Sequence, residues 1–220
     1  MILQSICFCF VPLMLIFAAF YAFVPNLKIT DALLSVLAGL LAIIPAGALN
    51  IFVFSGIAEQ AKTLSQVFTR DLILNGLAEE VIKMIFIYIF ISRKLELKTF
   101  FFCALLSGAA VGCFELFIYF YSYQGDIQFK YFLRLFTAVL LHTFCAGLGG
   151  LTAYSIKNKC RTLAPVILAV ILHGTYNYFA GFKPDVPFFY FSFAVILFSL
   201  IECRVRYTRF NGNPSEHKEI

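Results

Sequence analysis

Residues 72–91, LILNGLAEEVIKMIFIYIFI, decide how this chain is read. The stretch is long enough to cross a bilayer, at about 1.5 Å per helical residue and a hydrocarbon core about 30 Å thick. Yet its middle carries Glu79, Glu80 and Lys83. A charge deep in hydrocarbon costs at least roughly 2.5 to 3.5 kcal/mol on insertion scales, so a cluster of charges does not persist on a lipid-facing surface. The stretch therefore reads as a spanning helix that turns its charges inward, toward partners on other helices.

Apolar runs of similar length recur on both sides of it, in a chain that is 61% hydrophobic and only 13% charged over 220 residues. The expected fold is all-α, a polytopic transmembrane helical bundle of about seven spans with a polar site inside it. The spans are read at 5–24, 32–54, 72–91, 100–121, 132–154, 163–180 and 187–201. Residues 1–202 are expected to form a single transmembrane domain, with a motif-bearing core at about 70–180, and 203–220 a short tail, basic and then polar. Little length remains for a separate soluble domain, so function is expected within the bundle. The first 26 residues lack a basic leader and stay apolar too long for a secretory signal, and they read as the first span. Between the second and third spans, Ile57, Ala61, Leu64 and Phe68 recur opposite Glu59, Lys62, Ser65 and Gln66. That pattern predicts an amphipathic helix lying on the membrane surface.

The distribution of basic residues sets the expected orientation. Connections after the odd-numbered spans carry Lys28; Arg93, Lys94 and Lys98; Lys157, Lys159 and Arg161; and Arg204, Arg206 and Arg209. The opposite ones carry Lys62, Arg70, Lys130 and Lys183, with Arg134 near that edge. The positive-inside rule then places the N-terminus outside and the C-terminus in the cytoplasm of a bacterial-type cell membrane. The net charge of +5 forms no basic patch interleaved with exposed aromatics, so nucleic acid is not an expected partner. The seven cysteines are scattered and mostly intramembrane, and they read as small apolar residues rather than as a disulfide or zinc framework.

The polar residues inside the spans converge in depth. Counting from each entry point, Glu79 and Glu80 lie roughly 10 to 12 Å from the outer face, Glu115 and Asn177 roughly 8 to 9 Å from it, and His142 and His173 near the midplane. Gly108, Gly112, Glu115 and Tyr119 share one stripe of the fourth span, giving two close-approach positions, a carboxylate and a phenol. His173 and Asn177, four apart, project the same way. Glu79 and Lys83 are also four apart in the favourable order, so Lys83 is expected to neutralise Glu79 and leave Glu80 free. Neighbouring carboxylates resist simultaneous ionisation, which is one way a glutamate becomes a base near neutrality. A carboxylate with an imidazole can deprotonate water, and a second imidazole with an amide can donate to an oxyanion. The set suits hydrolysis of a peptide bond without a covalent nucleophile.

Other readings use the same residues. Taken singly, an intramembrane His or Asn is an ordinary interhelical hydrogen bonder, and a Glu–Lys pair an ordinary ion pair. A proton or cation transporter, or a catalytically silent membrane binding protein, would also carry such groups. A conduction path would need polar residues through the whole thickness, and residues 100–106 and 163–170 offer few. Cys145, one turn after His142, is inert as a thiol in an apolar span. A zinc site lacks the HExxH spacing but can assemble in space from separate helices, and a bis-histidine haem would leave the glutamates unexplained.

Four ordered segments carry a family likeness: GLAEEVIK at 76–83, VGCFELFIY around Glu115 and Tyr119, LLHTFCAG around His142, and HGTYN at 173–177. With them the chain resembles the PrsW family of intramembrane proteases, relatives of the CPBP group that includes the CAAX prenyl endopeptidases. Val111 and Leu116 stand where the family's second motif usually has Phe and Asn. The resemblance implies a metal-independent, glutamic-type endopeptidase without cofactor. In it Glu79 and Glu80 supply the water-activating carboxylate, His173 is essential, and Glu115, His142 and Asn177 position water or hold the oxyanion, with Lys83 and Tyr119 in support. The implied substrate is a membrane-anchored protein, such as an anti-sigma factor, cut near the extracytoplasmic face.

Overall fold

The computed structural model describes residues 2–52, 61–122 and 129–212. Among them every regular element is helical. Helix α1 spans Ile2–Phe23, α2 Ile29–Phe52 and α3 Leu64–Asp71; a π-helical segment, Leu72–Ala78, leads into α4, Glu79–Phe90. Then come α5, Leu97–Ser122, α6, Phe129–Lys157, α7, Ala164–Ala180, and a 3-10 turn, Pro187–Tyr190, continuing as α8, Phe191–Gly212.

Five of these segments are long and apolar enough to cross a membrane: Ile6–Phe23, Ile29–Phe52, Leu97–Tyr121, Leu133–Lys157 and Pro187–Gly212. Helix α7 is shorter, at 17 residues, and the third expected span is divided between the π segment and α4. All seven apolar runs are therefore helical, and the chain is a multi-pass helical membrane bundle. Helices α5 and α6 form its centre, with 72% and 78% of their apolar stretches buried, against 11% for α1 and 22% for the last helix. The large apolar side chains left exposed, such as Met14, Phe23, Ile44, Ile89 and Leu197, are what a lipid-facing surface requires.

Two connections differ from expectation. The amphipathic helix between the second and third spans is not a separate surface element. It starts at Leu64, where the Thr63 side chain accepts from the Gln66 backbone N–H and the Gln66 side chain accepts from that of Thr63, a capping box. It then runs without a break into Leu72, whose backbone is still helical at φ −67° and ψ −41°. Phe68 packs on Tyr178 of α7, ring centroids 5.3 Å apart, so this end of the face rests on protein, while Leu64 stays exposed. Ile57 and Glu59 lie outside the described residues. The last helix continues past Ile201 to Gly212. Stacking of Tyr207 on Phe101, centroids 4.4 Å apart, and the Glu202–Arg206 pair at 3.3 Å carry it through the first part of the expected tail.

Candidate active site

Two backbone-to-backbone crossings build the site. On α5, a Cβ at Gly108 would fall 2.3 Å from the His142 carbonyl oxygen, and one at Gly112 2.7 Å from the Val139 Cα. Only glycine lets α5 and α6 meet so closely, and the next turn of α5 then delivers Glu115 to His142. At the second crossing, Cβ atoms at Gly76 and Gly174 would fall 2.5 Å from the Val170 carbonyl oxygen and 2.6 Å from the Leu72 Cα. The π segment thus lies directly on α7, which places His173 against the two glutamates that follow it.

The charged groups form one chain. His173 Nδ1 donates to Glu80 Oε1 at 2.5 Å, and the same oxygen accepts from Lys83. Lys83 Nζ also donates to His142 Nδ1 at 3.0 Å. An ammonium offers only donors, so His142 Nδ1 must accept, and its Nε2–H is the proton donated to Glu115 Oε2. Glu115 Oε1 accepts from Arg134 Nη2 at 2.8 Å, and the guanidinium lies 3.9 Å over the Tyr119 ring. The two imidazoles stand edge to face, centroids 4.8 Å apart. Since His173 spends its Nδ1–H on Glu80, its Nε2 lone pair faces Glu79 Oε2 across 3.9 Å. That gap is too long for a hydrogen bond and suits one bridging water.

Here the expected pairing is reversed. Lys83 bonds Glu80, three residues before it, rather than Glu79. Glu80, Lys83 and Ile87 form the buried stripe of α4. Glu79, about 100° around the helix, keeps 20% of its side chain exposed while Glu80 keeps 1%. The residue left open is Glu79. It lines a cavity of about 270 Å³ together with Lys83, Glu115, Tyr119 and Asn177. His142, His173 and Glu80 stand behind that wall, so all eight expected residues meet in one place.

Three participants were not expected. Arg134 entered only as an edge charge, although Glu115 needed a cation beyond Lys83. Asn50 and Asn75 also line the cavity, and Asn50 is the only amide in the second span, the one signal that could have marked it. The buried charged groups and imidazoles, Asp71, Glu80, Lys83, His142 and His173, lie in this half of the bundle. Among the described residues, the buried polar groups toward the other end include hydroxyls such as Ser155, which donates to the Thr152 carbonyl, and Thr152, whose Oγ1 accepts from the Val166 backbone N–H on α7. Cys145 is buried with Sγ on the Ala169 carbonyl, and the spacing of the imidazoles leaves no slot for a haem.

Fold and site together define a multi-pass helical membrane protein with buried carboxylates, imidazoles and a lysine gathered beside a cavity. Residues 29–201 match the family described as PrsW family intramembrane metalloprotease. The match covers well over half of the chain, which is therefore a member of this intramembrane protease family. The match does not extend to the CAAX prenyl endopeptidases, and the kinship expected with them is not carried further. No curated protein and no solved structure matches the chain.

The family description names a metalloprotease, and the site holds a set of metal donors. Glu79, His142 and His173 each offer one ligand atom, all within 4.8 Å of one another. Two imidazoles and a carboxylate from three helices make the three-protein-ligand set of catalytic zinc sites. His173 gives its Nδ1–H to Glu80 and keeps Nε2 free, as the orienting partner of a metal-bound histidine requires, whereas His142 has Nε2–H on Glu115 and Nδ1 on Lys83. The buried Glu80 Oε2 has no partner among the described residues. The residues fit a divalent ion once Lys83 releases the His142 Nδ1 lone pair.

Proposed function

We propose that this chain is an endopeptidase that hydrolyses a peptide bond of a membrane-anchored protein inside the bundle, with Glu79 and His173 holding the attacking water. The observation that supports this reading is the pair of acceptors facing each other, Glu79 Oε2 on the wall of a cavity and His173 Nε2 just behind it. A water between them donates a proton to each and keeps its lone pairs for the scissile carbonyl. As the oxygen adds to the carbonyl carbon, a proton passes to Glu79, and the carbonyl oxygen takes the negative charge. Asn177, on the same cavity wall, has the amide N–H groups to meet that charge. When the C–N bond breaks, the proton held by Glu79 goes to the leaving amine. Glu80 fixes the His173 ring, Lys83 holds Glu80 and His142 together, and Glu115 with Arg134 closes the chain.

A metal would be held by Glu79, His142 and His173, and once bound it would polarise the carbonyl and acidify the water. The metal-free mechanism expected from the sequence and the metal-assisted one thus use the same residues. The positive-inside pattern supports a site at the extracytoplasmic end with the N-terminus outside. Lys157 reaching the Ile91 carbonyl at 2.5 Å gathers the basic connections at the opposite end.

The test is cleavage of candidate single-span substrates by the purified protein in liposomes, comparing wild type with Glu79→Gln and His173→Ala. Cleavage surviving unchanged in both variants would refute the reading. Elemental analysis of the purified protein and inhibition by a zinc chelator, reversed by added zinc, decide between the metal-assisted and metal-free forms.

A further inference from the structure

The cavity has a second wall that the hydrolytic chemistry does not use. It is made by α2, where Ala42, Ile43, Ala46, Gly47 and Asn50 recur at helical spacing opposite Glu79 and Glu115. Two details of this wall point to a ligand. Asn50 Oδ1 is buried and has no hydrogen-bond partner among the described residues, an acceptor kept at a cost unless something meets it. A Cβ built on Gly47 would find nothing within 4 Å among the described residues, unlike the glycines at the crossings, so this glycine keeps space open rather than letting helices touch.

A substrate cut within the bilayer must first unwind, and each backbone N–H freed in hydrocarbon needs an acceptor. We infer that the α2 face is the specificity wall for an extended peptide: Asn50 Oδ1 accepts a backbone N–H of the unwound substrate, and Gly47 sets the depth of the pocket for the side chain beside it. The inference rests on the peptidase reading and names its substrate class, an unwound apolar segment with a small residue next to the cut. At about 270 Å³ the cavity sits below the usual range of about 300 to 1,000 Å³ for small-molecule sites, room for a few small side chains and not for a helix.

The experiment uses synthetic peptides, each an apolar span of about 20 residues flanked by lysines and fluorescently labelled. Every position in the outer third is varied through large and small residues. Cleavage sites, KM, kcat and binding are measured on liposome-reconstituted wild type, Gly47→Leu, Asn50→Leu and Asn50→Asp. Gly47→Leu is expected to keep the fold and narrow cleavage to peptides with Gly or Ala beside the cut, with kcat/KM for bulkier residues falling tenfold or more. Asn50→Leu is expected to raise KM about tenfold with kcat little changed, and Asn50→Asp, which keeps an acceptor, to restore most of it. Wild-type cleavage indifferent to all three substitutions overturns the wall and leaves the peptidase standing. Peptide binding that depends on Gly47 and Asn50 without any cleavage by wild type overturns the peptidase and keeps the wall. Neither binding nor cleavage overturns both.

Discussion

Replacing Lys83 with methionine isolates the electrostatics of the site. The side chain is 3% exposed and its partner Glu80 1%, so solvent cannot take over when the ammonium is gone. Methionine keeps much of the length and apolar volume, and the change is mainly one of charge. It leaves Glu80 buried against His173 alone and removes the donor that fixes His142 Nδ1 as an acceptor. Removing one partner of a buried ion pair costs about 3 to 5 kcal/mol. For a chain of this size each kcal/mol moves the midpoint of thermal unfolding by about 2 to 4 °C, so Lys83→Met should unfold roughly 6 to 20 °C below wild type. The double variant Glu80→Gln/Lys83→Met removes the stranded charge while its amide oxygen still accepts from His173, and it should recover at least half of that loss. Thermal unfolding of the four proteins in one detergent completes the cycle, with the coupling read from the non-additivity. A Lys83→Met midpoint within about 2 °C of wild type, or a double variant no more stable than the single, would refute the ionic chain as drawn.

Three further outcomes are expected. Glu79→Gln should lower cleavage by about 10² to 10⁴, the usual weight of a general base, with little change in the unfolding midpoint because Glu79 is partly exposed and its nearest ionic partner is 3.9 Å away; equal loss of stability in Glu79→Gln and Glu80→Gln would contradict this division. Gly76→Val drives a side chain into the Val170 carbonyl oxygen, 2.5 Å from the new Cβ, and should cost about 1 to 3 kcal/mol by overpacking while separating His173 from both glutamates, seen as joint loss of midpoint and activity. Arg134→Met should destabilise by about 1.5 to 3 kcal/mol, the worth of a charged hydrogen bond, and Arg134→Lys by less, since the partly exposed lysine can still reach Glu115; identical midpoints for the two would show that the guanidinium contributes nothing there.

The spans were legible because a run of about 18 apolar residues has few other uses. Their ends were less so, since nothing in RVRYTRFNG at 204–212 announces that Tyr207 will stack on Phe101. The polar cluster was legible because each charge in hydrocarbon calls for a partner, and the glycines at 108 and 112 pointed to the helix that supplies one. Which glutamate takes Lys83 was not legible. Both spacings, three and four, are compatible with a helical pair, and α4 is apolar on nearly every side, so no periodicity says which face is buried. The stripe through Glu80, Lys83 and Ile87 is set by packing on α6 and α7. Arg134 was obscured for a related reason: a cation near a span edge reads equally well as an orientation signal or as a buried counter-ion.

The wide turn at Leu72–Ala78 makes the two ends of one long helix independent in phase. Each residue of an α-helix advances the side chain by about 100°, and a π turn takes up an additional residue without interrupting the rod. Phe68 can therefore face Tyr178 while Glu80 and Lys83 face the two imidazoles, an alignment that an unbroken α-helix would offset by one position. Relaxing that turn to α geometry would rotate Glu80 out of the ionic chain and carry Glu79 away from His173 without changing a single side chain of the site. The assignment of one glutamate to the cavity and the other to the interior is thus written in the backbone, one turn ahead of the residues that carry it out.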